Sequence, residues 1–225
     1  MQKDGKRFFY VNPLEVVPGI SGEAVTHRHA LPQRPKWYTC ACCPPNVARL
    51  ISSFGKYAYS EKGNTAYCHM FASGETSFAN GMKFTCETAY PYDFEVNFRI
   101  ERGGNLAVRI PGWAKGNYAV YINNFPKDVA YENGYVYISA VDGDSIKLKL
   151  QDKINVIYPS TKIPDLSGTV ALSRGPLIYC FEGVDNGGRV LDIRPGRYGK
   201  KYLSGGPDHE IIAFPAEKRG CSYPT

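Results

Sequence analysis

Two stretches of this chain alternate polar and apolar residues without a break: Asp93-Phe94-Glu95-Val96-Asn97-Phe98-Arg99-Ile100 and Ser145-Ile146-Lys147-Leu148-Lys149-Leu150. Successive side chains of a strand point to opposite faces, so a period of two buries one face and wets the other. That pattern restricts the chain to half-buried antiparallel strands, stacked as a sandwich. Asn133-Gly134, set between Tyr131 and Tyr135-Val136-Tyr137-Ile138, is a two-residue hairpin signal, and Asp142-Gly143 marks a turn before the next strand. Seventeen tyrosines, 23 glycines and 16 prolines in 225 residues suit the same turn-rich β architecture. With 43% hydrophobic residues the chain has enough apolar side chains to fill a core.

One helix interrupts the β pattern. Val47, Leu50, Ile51 and Phe54 recur at i, i+3, i+4 and i+7 behind Pro44-Pro45, and Gly55 follows as a stop, so a helix is predicted over 44–54. The chain separates into a first zone at 1–58, a β-sandwich at 59–163 and a second, smaller β domain at 164–225. The first zone holds the apolar run Phe8-Phe9-Tyr10-Val11 and the helix. The third holds strand-like Gly168-Leu172 and Leu177-Phe181, then a glycine-rich polar segment over 183–209.

Charge and composition narrow the functional classes. The formal charge of +6 is spread thinly, with Lys83, Arg99, Lys147 and Lys149 on the polar side of alternating segments. This reads as a solvated sheet face and not as a nucleic-acid patch. No stretch approaches the roughly 20 apolar residues of a membrane span, and none resembles an apolar leader, so a cytoplasmic setting without membrane contact is expected. Seven cysteines, an odd number, fit reduced thiols better than a disulfide framework.

Three of those thiols, Cys40, Cys42 and Cys43, fall within four residues and run straight into Pro44. A helix start favours an anion, so a thiol placed there is drawn toward the thiolate, the form that attacks carbon or binds a metal. The competing reading is a pair of buried small hydrophobes. Cys40 could join through Cys-x-Cys spacing, and His27 and His29 share one face of an extended segment, within reach of a metal or a sugar. Trp37 and Trp113 could stack on a sugar ring or anchor a core. Arg174-Gly175-Pro176 reads as a strand entry with a tight turn, without a catalytic role.

Three motifs together resemble glycoside hydrolase family 127, the β-L-arabinofuranosidase family. They are Tyr10-Val11-Asn12-Pro13-Leu14, the run from Trp37 through Cys40-Ala41-Cys42-Cys43-Pro44-Pro45-Asn46 to Arg49, and Ser173-Arg174-Gly175-Pro176-Leu177-Ile178-Tyr179-Cys180 with Glu182-Gly183-Val184-Asp185. The resemblance implies a mainly β fold in which antiparallel β-sandwich domains follow the terminal helix of a truncated (α/α)6 barrel, with residues 1–58 as the barrel remnant. It implies zinc held by Cys42 and Cys43 with an upstream Glu-x-Cys pair, Cys42 as the nucleophile of a retaining hydrolase acting on L-arabinofuranosides, and Tyr10 lining the sugar pocket. Zinc would keep the sulfur deprotonated near neutral pH. Upstream of Cys40, however, the chain has only Asp4, Glu15 and Glu23 as acids and no cysteine. The Glu-x-Cys pair and the general acid are therefore missing, which predicts an inactive chain with weak metal binding and self-association through a barrel-facing apolar surface. The alternative readings are a non-catalytic β-sandwich scaffold and a carbohydrate-binding module.

Overall fold

The computed structural model describes Lys6 and residues 42–180. The Phe8–Val11 run with Tyr10, as well as His27, His29, Trp37, Cys40, the 183–209 segment and Cys221, lie outside the described residues. The chain divides into two compact units, Met1–Tyr57 and Ala58–Thr225.

In the first unit, helix α1 spans Cys43–Ser52, two residues short of the predicted end at 54. Serine stops it, not glycine. The Ser53 N–H donates to the carbonyls of Arg49 and Leu50 at 3.2 and 3.1 Å, and its hydroxyl donates again to Arg49 at 2.8 Å. Those bonds close the last carbonyls that a helix end leaves open. Gly55 opens a further single turn, α2 (Gly55–Ala58), instead of capping α1.

The second unit is built on two stacked sheets. One contains β1 (Tyr59–Lys62), β2 (Thr65–Cys68), β6 (Gly104–Arg109), β10 (Tyr135–Ala140) and β9 (Ala130–Glu132), in that spatial order. The other contains β3 (Gly74–Ser77), β4 (Lys83–Thr88), β5 (Glu95–Arg102), β11 (Ser145–Leu150), β7 (Tyr118–Ile122) and β8 (Phe125–Pro126). Neighbours pair antiparallel throughout, except that β2 runs parallel to β6. The predicted alternation is realised in β11 over its whole length, and β5 enters at Glu95 after the Asp93 carboxylate accepts the Phe94 N–H at 2.6 Å. Asn133 and Gly134, at φ of 51° and 88°, form the expected hairpin between β9 and β10.

The inward faces interlock. Val96, Phe98, Ile100, Ile146, Leu148 and Leu150 from one sheet meet Ala66, Cys68, Leu106, Val108, Val136 and Ile138 from the other in one core. The Phe84 ring anchors it edge-on, 5.5 Å from Phe98 and 5.8 Å from Tyr59.

A third sheet is made of β12 (Ile154–Ile157), β13 (Ala171–Arg174) and β14 (Leu177–Tyr179), and Arg174 ties it to the sandwich. The Arg174 guanidinium donates to both oxygens of Asp152 at 2.6 and 2.7 Å and to the Tyr92 carbonyl at 3.2 Å, and it lies 4.8 Å over the Phe94 ring. Gly175, at φ +56°, follows so closely that a Cβ there would sit 2.7 Å from the Phe94 ring. The Arg-Gly-Pro turn thus works as a clasp. Gly168, expected within a strand, instead turns at φ +80° beside Thr169, whose hydroxyl donates to the Leu166 carbonyl at 2.7 Å.

The two outer faces of the sandwich differ. On the six-stranded sheet the basic residues are matched across strands: Lys83 with Glu75 and Glu101, Arg99 with Glu87, and Lys147 and Lys149 with Glu95. On the five-stranded sheet the rows carry Tyr67, Tyr135 and Tyr137.

Candidate active-site cysteines

Cys42 is the residue before the first helical position of α1, and Cys43 is that position. Both thiols are exposed, which removes the reading of two buried small hydrophobes. Cys42 already has helical backbone angles, φ −75° and ψ −27°, and its own side chain makes no capping bond. Its carbonyl is held instead by Asn46, whose backbone N–H and Nδ2 donate to it at 3.3 and 2.9 Å. Arg49 orders that amide by donating from Nε and Nη2 to Asn46 Oδ1 at 3.4 and 3.3 Å. A guanidinium can only donate, so the amide oxygen turns toward Arg49 and the nitrogen toward Cys42.

The electrostatics of this helix start differ from the simple expectation. Pro44 and Pro45 occupy the first turn and have no N–H, so of the first three helical residues only Cys43 offers a donor to an anion. The macrodipole remains, but most of the hydrogen bonding that usually accompanies it does not. Two adjacent thiols supply half of a tetrahedral zinc set. Among the described residues, no group of three or more His, Cys, Asp and Glu side chains comes together, so these residues alone do not fit a complete zinc site.

Other thiols behave differently. Cys68 and Cys86 are buried in the sandwich, where desolvation pushes both upward, Cys86 to about 11. They remain protonated near neutral pH and are structural. Trp113 packs 5.3 Å from the Phe94 ring at the edge of the core, as an anchor would. Asn46 and Arg49 were missed as positioning residues, although their i+4 and i+7 spacing from Cys42 in a helix-start motif was available as a signal.

Comparison with known proteins adds the context. Residues 1–56 match the catalytic domain of the β-L-arabinofuranosidase family GH127, residues 65–152 its middle domain and residues 154–208 its C-terminal domain. A sandwich behind a helix headed by paired thiols thus sits in a glycoside hydrolase setting. The chain belongs to glycoside hydrolase family 127. It is 35% identical to a non-reducing end β-L-arabinofuranosidase of Bifidobacterium longum subsp. longum, covering 85% of this chain and 30% of the relative. A GH127 β-L-arabinofuranosidase structure from Geobacillus stearothermophilus T6 aligns with TM-score 0.74 and 38% identity, over 87% of this chain and 32% of that one. A further GH127 β-arabinofuranosidase structure aligns with TM-score 0.66 and 28% identity, over 81% and 31% of the two chains. The chain spans about a third of the length of the relatives it matches.

Proposed function

We propose that this chain carries the nucleophile of a retaining glycosidase acting on L-arabinofuranosides. In this reading the Cys42 thiolate attacks the anomeric carbon, a C–S bond forms as the glycosidic C–O bond breaks, and a general acid gives its proton to the departing oxygen. Water, giving its proton back to that deprotonated acid, then attacks the anomeric carbon as the C–S bond breaks and the Cys42 thiolate leaves, so the configuration is retained overall. Cys42 and Cys43 would be two of the zinc ligands; the Glu-x-Cys pair that would complete the set does not occur in this sequence, and Tyr10 lines the sugar pocket. Asn46 and Arg49 position Cys42 by fixing its carbonyl.

The observation that carries the reading is the exposure of both thiols at the start of α1, within the stretch that matches the family's catalytic domain. The absence of any cysteine before Cys40 supports a second part: the 225-residue chain is inactive alone, and its exposed α1 ridge makes it self-associate. A chimera in which this chain replaces the matched third of the Bifidobacterium relative tests the nucleophile on a chromogenic β-L-arabinofuranoside. Cys42→Ser is expected to lower hydrolysis by at least about a thousandfold. Hydrolysis within tenfold of the unsubstituted chimera would remove Cys42 from the role, and turnover by the isolated chain would overturn its inactivity.

A further inference from the structure

The outer face of the five-stranded sheet is built in rows. Register aligns Tyr67 on β2 with Ala107 on β6 and Tyr137 on β10, and the next row runs through Arg109, Tyr135 and Glu132. His69 follows two residues after Tyr67 and joins that second row. Ala107 is fully covered although it points outward, because the flanking tyrosines close over it. The rings are ordered. Tyr67 stands edge-on to Tyr135 at 5.5 Å and to Tyr137 at 6.5 Å, and it stacks on His69 at 5.9 Å. His69 is pinned at both nitrogens, Nδ1 lying 2.7 Å from the Tyr135 hydroxyl and Nε2 2.7 Å from Ser60 Oγ. Burial first, and the Arg109 charge second, hold His69 below the ordinary imidazole range, so the ring is neutral at neutral pH.

We infer that this face is a binding platform for a neutral, hydroxyl-rich oligosaccharide. Half-buried tyrosine rings offer apolar surface to the C–H side of a sugar, while Arg109 and Glu132 at the same row supply a planar donor and a carboxylate acceptor for its hydroxyls. A protein partner is disfavoured because no Leu, Ile, Val or Phe is exposed on the outward positions of these strands, whereas the ridge of α1 exposes Val47, Leu50 and Ile51. The opposite sheet face is dominated by ion pairs and carries the single outward tyrosine Tyr121 in place of a tyrosine row. The geometry also selects the shape of the ligand. Tyr67 meets Tyr135 and Tyr137 at 85° and 88°, so the rings form a corner, which suits a single soluble chain and not the flat surface of a crystalline polysaccharide.

Affinity electrophoresis of the 225-residue chain through gels containing soluble arabinogalactan tests the inference, with a pull-down on microcrystalline cellulose beside it. Family membership chooses that probe, but the assay reads binding without hydrolysis, so its failure is distinguishable from failure of the nucleophile reading. Arabinogalactan is expected to slow migration, and Tyr137→Ala and Arg109→Ala are each expected to weaken that retardation by about tenfold. Arg109→Ala leaves the ring packing intact, so it keeps the test decisive where a tyrosine variant unfolds. Tyr158→Ala, exposed off this sheet, should bind normally. Unretarded migration of the unsubstituted chain, equal retardation of the Arg109 and Tyr137 variants, or capture by cellulose alone would each overturn the platform.

Discussion

The sandwich and helix α1 use apolar residues in opposite ways. In the sandwich Phe84, Val96, Phe98, Ile100, Leu106, Ile146 and Leu148 are at most 1% exposed, each side chain enclosed by its own unit. In α1 no residue is buried, and Val47, Leu50 and Ile51, with Phe54 just beyond it, are 55%, 51%, 70% and 37% exposed although they recur at helical spacing. The periodicity of a sequence therefore states which residues form a face. It does not state whether the same chain supplies what covers that face. The β portion specifies its own core, while the ridge of the thiol-bearing helix stays exposed among the described residues.

The sharpest way to break this contrast is to truncate one side chain from each region. Phe98→Ala removes a ring from a closed core and is expected to lower stability by about 3–5 kcal/mol, read from denaturant unfolding. Ile51→Ser should leave unfolding within about 0.5 kcal/mol of the unsubstituted chain. It should instead reduce self-association, seen as a later elution in size-exclusion chromatography at high concentration. If Ile51→Ser destabilises as much as Phe98→Ala, the helix face is not the uncovered surface described here.

The same contrast explains what was legible beforehand. Strands β5, β10 and β11 could be read because alternation is local: each residue declares its face through its neighbour two positions away. The Asn133-Gly134 hairpin was legible for a similar reason, since two consecutive residues at positive φ demand those side chains. The parallel pairing of β2 with β6 was not legible, because register between strands so distant in sequence depends on the whole sheet. Nor was the clasp: Arg174 reaches Asp152 across 22 residues and Tyr92 across 82. Among the candidate residues, the clustered thiols were visible as a sequence peculiarity and stand exposed together. The row that joins His69 to Tyr135 exists only after β2, β6 and β10 are aligned, so histidines at 27 and 29 drew attention while His69 did not.

The Arg174-Gly175 clasp joins the third sheet to the rim of the sandwich core at Asp152, Tyr92 and Phe94. Gly175→Ala sharpens the contrast between that sheet and the core. A Cβ at this position meets the Phe94 ring at 2.7 and 2.8 Å and Trp113 at 3.3 Å, on a backbone at φ +56°. The ring cannot yield without disturbing the core, so a loss of about 1–3 kcal/mol is expected. Limited proteolysis should show faster cleavage in 153–180 than in 59–150. Equal protection of both regions would mean that the Gly175 contact holds nothing in place.

The smallest expected effect concerns the charge in the same clasp. The Arg174 hydrogen bonds, opposed by partial burial and aided by its charge, hold the Asp152 carboxyl below the usual carboxylate range. A carboxyl depressed in the folded state stabilises fully above its unfolded value of about 3.9, and that stabilisation fades as pH falls through the folded value. Asp152 is 55% exposed, so solvent screens the pair and its contribution is about 0.5–1 kcal/mol. Asp152→Asn should therefore lower the melting temperature at pH 7 by about 1–4 °C. At pH 3 the gap should narrow, because acid neutralises the native carboxylate as the substitution does. A gap of equal size at both pH values would show that shape and not charge makes this contact, leaving the cation–π contact of Arg174 with Phe94 as the larger part of the clasp.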